Sequence, residues 1–262
     1  MSFGHDAYKP SEIAALIEAA GVAKAALPLR QMLVLAMLAG AFIGFGAAAW
    51  AMVMTGADPG YGPHRLLGGL VFSLGLILVI VGGAELFTGN ALMVMAAVDG
   101  RITPAALFRN WAVVYVGNFL GAAGLAFAFW LSGWADGPVG DTIARTAAAK
   151  AAGAPLALFV KGALCNALVC LAVWLTFSAR DTTGKILAIL WPISAFVLLG
   201  LEHSVANMFF LPLGTLTGAE VTLTSAARNL FWVTFGNIAG GAGGVALAYR
   251  FAFHGPGAGG KP

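Results

Sequence analysis

Charged side chains are scarce in this sequence. Aspartate, glutamate, lysine and arginine make up 10% of 262 residues, where a soluble globular protein carries about 25%. With 60% hydrophobic residues and a mean hydropathy of +0.89, a soluble core of this length could not hide so much apolar surface. A bilayer can, so the chain reads as an integral membrane protein with lipid as its surroundings. The net charge of +3 is small and spread along the chain, which argues against nucleic acid as a partner. Cysteine is down to two, Cys165 and Cys170, five positions apart in one apolar segment. That spacing neither stacks them on one helix face nor matches a zinc pattern, which leaves packing; no metal and no cofactor is expected. A cleavable signal peptide is also missing. Residues 1–30 have no short apolar core followed by a small-residue cleavage site, so the first span is expected to direct its own insertion.

What the chain does have is long apolar runs. A span needs about 20 apolar residues at ~1.5 Å rise each, and six segments qualify: about 31–55, 66–98, 105–132, 155–178, 186–213 and 228–252. The second and fifth are longer than a simple crossing needs and carry polar residues near their middles, which predicts helices broken inside the membrane. Loop lysines and arginines set orientation. With both termini on one side, that side holds Lys9, Lys24, Arg30, Arg101, Arg109, Arg180, Lys185, Arg250 and Lys261; the other holds Arg65, Arg145, Lys150 and Arg228. Nine against four puts both termini in the cytoplasm. The expected organisation is one membrane domain over 1–262. It comprises a cytoplasmic segment 1–30, a six-span channel 31–252 and a cytoplasmic tail 253–262, whose GPGAGGKP end reads as disordered. Within the first segment, residues 11–27 place Ile13, Leu16, Ile17 and Ala20 on one helical stripe with Ser11 as cap. A short helix in the membrane interface fits this pattern, and so does an ordinary surface helix.

The two overlong segments contain an echo. Residues 85–90 read ELFTGN and residues 202–207 read EHSVAN, each a Glu followed five positions later by Asn. Downstream, Gly117-Asn118-x-x-Gly121 returns as Gly236-Asn237-x-x-Gly240 at nearly the same offset. Three spans separate each element from its copy, and an odd number inverts orientation. Inverted repeats with paired broken helices place a permeation or binding site near the midplane. Open backbone at that depth survives only when buried in protein or lining a polar cavity. The fold expected is therefore all-α, six transmembrane helices in an inverted 3+3 repeat, with the second and fifth broken. The many glycines in the spans let helix backbones approach closely.

With these motifs in view, the chain resembles the formate/nitrite transporter family over nearly its whole length. The resemblance is carried by ELFTGN at 85–90, FVKGALCNALVCLAVW at 159–174, EHSVANM at 202–208 and NLFWVTFGNIAGG at 229–241. Glu rather than Asp in ELFTG, the Lys161 run and the short link between spans five and six look more like the nitrite branch than the formate branch. The resemblance implies an aquaporin-like six-helix fold, a homopentamer with one pore per protomer, and residence in a bacterial inner (plasma) membrane. It also implies passage of small monovalent anions (nitrite, formate or hydrosulfide) through vestibules and apolar constrictions that flank a central histidine.

His203 is the expected centre. A neutral imidazole donates one hydrogen bond and accepts another, and a protonated one can hand its proton to an anion. A bare anion in an apolar constriction loses its hydration at a cost of many kcal/mol; the neutral acid avoids most of it. His203 either protonates the anion or only hydrogen-bonds it. Lys161, six residues into the fourth span, reaches a vestibule and raises local anion concentration; snorkelling to the interface is the plainer alternative. Glu85 and Glu202 share one repeat position and are expected to hold the breaks. Thr88 is placed to hydrogen-bond His203, and Asn207 and Asn237 offer amides at matching depth. By the resemblance, Leu86, Phe87 and Phe196 form the constriction, with Phe72 and Leu76 next. Two other classes fit the residues less well. An aquaporin-like channel for neutral solutes would leave Lys161 without a role, and the paired Asn-Pro-Ala motif is absent. An intramembrane enzyme fails because Ser204 and His203, adjacent on a helix, point about 100° apart. His5, His64 and His254 are assigned nothing.

Overall fold

The computed structural model describes residues 7–253; the expected tail from His254 onward and the segment holding His5 lie outside them. The chain is all-helical among the described residues. Helix α1 (Pro10–Ala25) is followed by the 26-residue α2 (Leu29–Met54), about 39 Å long at ~1.5 Å per residue. The second expected span opens with α3 (Gly62–Phe72) and α4 (Leu74–Gly82), which form one nearly continuous crossing interrupted at Ser73. The Ser73 hydroxyl bonds back to the Gly69 carbonyl there. The crossing then ends at Gly83, whose φ of +79° suits glycine. An open stretch leads to the 3₁₀ turn Gly89–Met93 and the short α5 (Val94–Val98).

Helix α6 (Pro104–Leu131) opens on a proline at its first position, with the Thr103 hydroxyl accepting the Ala106 N–H. After it come α7 (Pro138–Ala151) and α8 (Pro155–Ser178). The fifth expected span is split outright into α9 (Thr182–Leu198) and α10 (Ser204–Leu216). Helix α11 (Leu223–Ile238) runs through a π-helical stretch, Ala239–Leu247, into α12 (Ala248–Phe253). Among the described residues five stretches are long and apolar enough to cross a membrane, and the halves of the broken fifth are shorter. Apolar side chains such as Phe108, Leu131, Leu156, Trp191, Phe231 and Phe235 stand exposed on the outside, as lipid contact requires.

Two expectations need correction. Ser11 does not cap α1. The helix starts one residue earlier, at Pro10, with Lys9 at the cap position and the Glu12 carboxylate accepting the Lys9 N–H at 2.7 Å; a proline pre-set for the first helical position wins over a hydroxyl. Its stripe is also rotated. Ile13, Ala14, Ile17, Glu18 and Gly21 are buried while Leu16 is exposed, because α1 lies on the 3₁₀ turn and α5, with Gly21 against Ala96. Helix α7 has no counterpart among the expected elements. Arg145 and Lys150, loop charges by the sequence pattern, ride on a helix whose Ile143, Ala147 and Ala151 are buried.

The long helices pack in repeat-related pairs, α2 with α6 and α8 with α11. Gly121, and Gly240 in the π-helical stretch that continues α11, make this approach possible. A Cβ at Gly121 would run into the carbonyl of Met37, and one at Gly240 into the carbonyl of Ala163. Small residues replace side-chain interdigitation by backbone contact here.

Candidate functional site

A helix broken at membrane depth leaves N–H and C=O groups without partners, and each must find one inside the protein. An asparagine side chain is suited to this, since one amide carries both an acceptor and two donors. At the first break, Asn118 Oδ1 accepts the Phe87 N–H at 2.9 Å while its Nδ2 donates to the carbonyls of Ala36 (2.7 Å) and Glu85 (2.9 Å). At the second, Asn237 Oδ1 accepts the Ser204 N–H at 2.9 Å and its Nδ2 donates to the carbonyls of Gly162 (2.9 Å) and Glu202 (3.0 Å). The two patterns match bond for bond.

The carboxylates are held in the same duplicated way. Lys24 Nζ lies 2.5 Å from Glu85 Oε1, and Asn90 Nδ2 donates to Glu85 Oε2 (2.8 Å) and to Asn110 Oδ1 (2.9 Å). Lys150 Nζ lies 3.0 Å from Glu202 Oε2, and Asn207 Nδ2 donates to Glu202 Oε2 and Asn229 Oδ1, both at 2.7 Å. Asn110 then bonds the Lys24 carbonyl and Asn229 the Lys150 carbonyl. A buried carboxylate is tolerable when its oxygens are paired and hydrogen-bonded. Glu85 meets it with both oxygens and Glu202 through Oε2, and so they join α1 to the first break and α7 to the second.

The sequence reading missed both lysines and both outer asparagines. A signal for the lysines existed. Lys-Ala-Ala stands just before the Pro-Leu that opens a long helix at 24–29 and again at 150–156. The repeat thus begins with α1 and α7, well upstream of the Glu motifs.

Against this matched frame, a few positions differ between the halves. His203 stands where the first half has Leu86, and Thr88 where the second has Val205. His203 is the N-cap of α10: its Nδ1 accepts the Ala206 N–H at 3.1 Å. A ring nitrogen that accepts carries no proton, so the ring proton is on Nε2, which lies 3.0 Å from Thr88 Oγ1. The ring stacks on Phe196 with centroids 5.9 Å apart, and Phe196 meets Phe72 edge to face at 5.5 Å. Thr88 is itself held from behind, its carbonyl accepting from Asn166 Nδ2 at 3.2 Å.

Two cavities approach this layer from opposite ends of the repeat. One, of about 560 Å³, is lined by Phe72, Phe196 and His203 together with Arg65, Arg145, Lys150, Lys161 and Glu202. The other, of about 280 Å³, is lined by Leu76, Val79 and Leu86 with Lys24, Glu85, Asn90 and Lys185. Lys161 is exposed into the larger cavity. Thr88, Asn207 and Asn237 are fully buried, and all three lie behind the cavity walls rather than on them. Asn207 and Asn237 serve the breaks. Phe87, expected beside Leu86 at the constriction, lines neither cavity; its ring packs on Tyr115 (5.0 Å) and Trp111 (6.1 Å) of α6. The cause is local, since the Asn118 bond to its N–H fixes the backbone and turns the side chain toward that helix.

Broken helices meeting at a buried polar pair between two cavities are the architecture of a polytopic transport protein. Residues 11–251 match the formate/nitrite transporter family, and the chain belongs to it. It is 41% identical over 213 residues to a formate channel FocA of Haemophilus influenzae, covering 73% of this chain and 75% of that one. It is 36% identical over 219 residues to the nitrite transporter NirC of Salmonella typhimurium, covering 82% and 80%. A solved structure of a pentameric formate channel with formate bound superposes with a TM-score of 0.79 at 38% identity, covering 86% of this chain and 97% of the other. The family is one of transporters, not enzymes.

Proposed function

We propose that the chain assembles as a homopentamer in a bacterial inner membrane, termini in the cytoplasm, and that each protomer passes small monovalent anions past His203. Formate and nitrite are the solutes: the first from the relatives named for formate, the second from the nitrite transporter and from the nitrite-branch character of residues 85–90 and 161–166. Hydrosulfide, close in size and equally monovalent, is the third candidate. The observation that carries the reading is the bond from the Ala206 N–H to His203 Nδ1. It leaves Nε2–H as the donor, resting on the Thr88 hydroxyl with the positive end of α10 behind it, so an anion that displaces that hydroxyl meets both a proton donor and a favourable dipole.

The resting ring is neutral and offers a hydrogen bond. To hand over a proton it must become imidazolium, which Nδ1 can do only by releasing the Ala206 N–H. Binding is therefore the first step and proton delivery the second. The solute then crosses the apolar side chains Phe72 and Phe196 on one side, Leu76 and Leu86 on the other, as the neutral acid, whose dehydration costs far less than the anion's. The test is flux of formate, nitrite and hydrosulfide into proteoliposomes across a pH gradient, for wild type and His203→Asn. Acidifying the supply side accelerates wild type, and the Asn variant, which can hydrogen-bond but not protonate, loses that acceleration. A variant that keeps the full pH response overturns the role of His203.

A further inference from the structure

The two cavities differ in charge in a way their shared frame does not require. Lys150 and Glu202 in the larger cavity, and Lys24 and Glu85 in the smaller, neutralise each other as repeat mates. What is left in the smaller cavity is Lys185. What is left in the larger one is Arg65, Arg145 and Lys161, and none of these three forms an ion pair among the described residues. Two of them are departures from the repeat. The carbonyl of Lys161 accepts the Glu202 N–H as the carbonyl of Leu35 accepts the Glu85 N–H, so lysine stands where the first half has leucine. By the spacing that pairs Lys24 with Lys150, Arg145 stands where α1 has Ala19.

Arg65 is placed with purpose. It projects from the first turn of α3 onto the break between α9 and α10, where a Cβ on Gly200 would come 2.5 Å from Arg65 Nη2. Gly200, at φ +67° and three residues before His203, thus gives the guanidinium its seat.

We propose that Arg65, Arg145 and Lys161 form a binding site for a divalent oxyanion or small dicarboxylate, which on occupancy plugs the pore from that face only. A guanidinium fork matches two oxygens of such an anion at once, and the second arginine and the lysine supply the balancing charge. Inside a cavity of about 560 Å³ there is room for the ion and some of its water, and the walls weaken salt screening. Beyond the site stand the Phe72 and Phe196 rings in edge-to-face contact. Dehydration cost grows with the square of charge, so a dianion, which needs two protons to become neutral, stops where a monoanion needing one proceeds. The binding claim stands on the cations alone; the plugging claim rests on the channel reading above.

Sulfate is the probe. Titrated calorimetrically into the detergent-solubilised full-length assembly, it binds once per protomer. Arg65→Gln with Arg145→Gln weakens it about tenfold or more; Lys161→Met, reached from a different helix, weakens it too, and Lys185→Gln leaves it unchanged. In vesicles with the protein inserted in one direction, sulfate on the Arg65 face slows formate flux and sulfate on the opposite face does not. No sulfate binding by wild type, unaltered affinity in both the double arginine variant and Lys161→Met, or equal block from the two faces overturns the proposal. Sulfate binding without any formate or nitrite flux would uphold the site and refute the channel reading instead, so the two failures are separable.

Discussion

Thr88 and His203 make a pair that neither side chain makes sense without. The threonine hydroxyl is the partner of Nε2 at 3.0 Å, and both residues are buried, so removing it strands a buried donor at a cost of about 1–3 kcal/mol. Thr88→Val is expected to cut formate flux about tenfold while Thr88→Ser, which keeps the hydroxyl, retains most of it; equal flux in Val and Ser variants would show that the hydroxyl is irrelevant. Lys150 and Glu202 test a different kind of residue. Their side chains are only 14% and 10% exposed, and breaking a buried pair leaves an uncompensated charge worth about 3–5 kcal/mol. Lys150→Met is expected to lower the Tm of the solubilised protein by several degrees, and adding Glu202→Gln to recover part of the loss. A double variant no better than the single would mean that the ion pair does not hold α7 to the second break.

Helices here are placed by backbone contact as much as by side chains. A Cβ at Gly240, in the π-helical stretch that continues α11, would meet the carbonyl of Ala163 on α8, and one at Gly121 would meet that of Met37 across α2–α6. Alanine at either site must push two long helices apart, since a carbonyl cannot rotate away as a side-chain tip can. Overpacking of this sort costs about 1–3 kcal/mol. Gly240→Ala should therefore lower thermal stability measurably, whereas Gly243→Ala, whose new Cβ meets open space, should not. Where the helices begin and break was legible in the residues: long apolar runs, the two Glu-x4-Asn motifs and the Gly-Asn pairs marked them within a few positions. Helix α7 was not legible, because residues 138–151 are Ala-rich and moderately polar and read equally well as a link. Its burial is decided by α10, against which it packs.

Considered together, the protomer is one frame used twice, with its chemistry concentrated where the two uses diverge. Leu86 against His203, Val205 against Thr88 and Leu35 against Lys161 all fall on or beside the layer that parts the two cavities. The excess of cations in the larger cavity should make anion capture sensitive to salt. Raising ionic strength from about 10 to 150 mM with an impermeant salt shortens the screening length from about 30 to 8 Å, and is expected to lower flux at subsaturating anion several-fold. Lys161→Met should show a lower flux and a shallower salt dependence at unchanged assembly mass. A variant indistinguishable from wild type in both would remove electrostatic capture from the account.

Membrane residence, the two interrupted crossings and the inverted duplication follow from the order of residues alone. Hydrocarbon length, the cost of an unpaired polar group in lipid and an odd number of spans between copies leave few alternatives. The Lys24–Glu85 and Lys150–Glu202 pairs, the turn of Phe87 toward α6 and the tautomer of His203 do not follow. Each depends on which atoms meet across helices 28 to 61 positions apart in the chain or on the ring's placement against its own helix terminus. Such meetings are set by packing direction, which residue types at a given spacing do not encode.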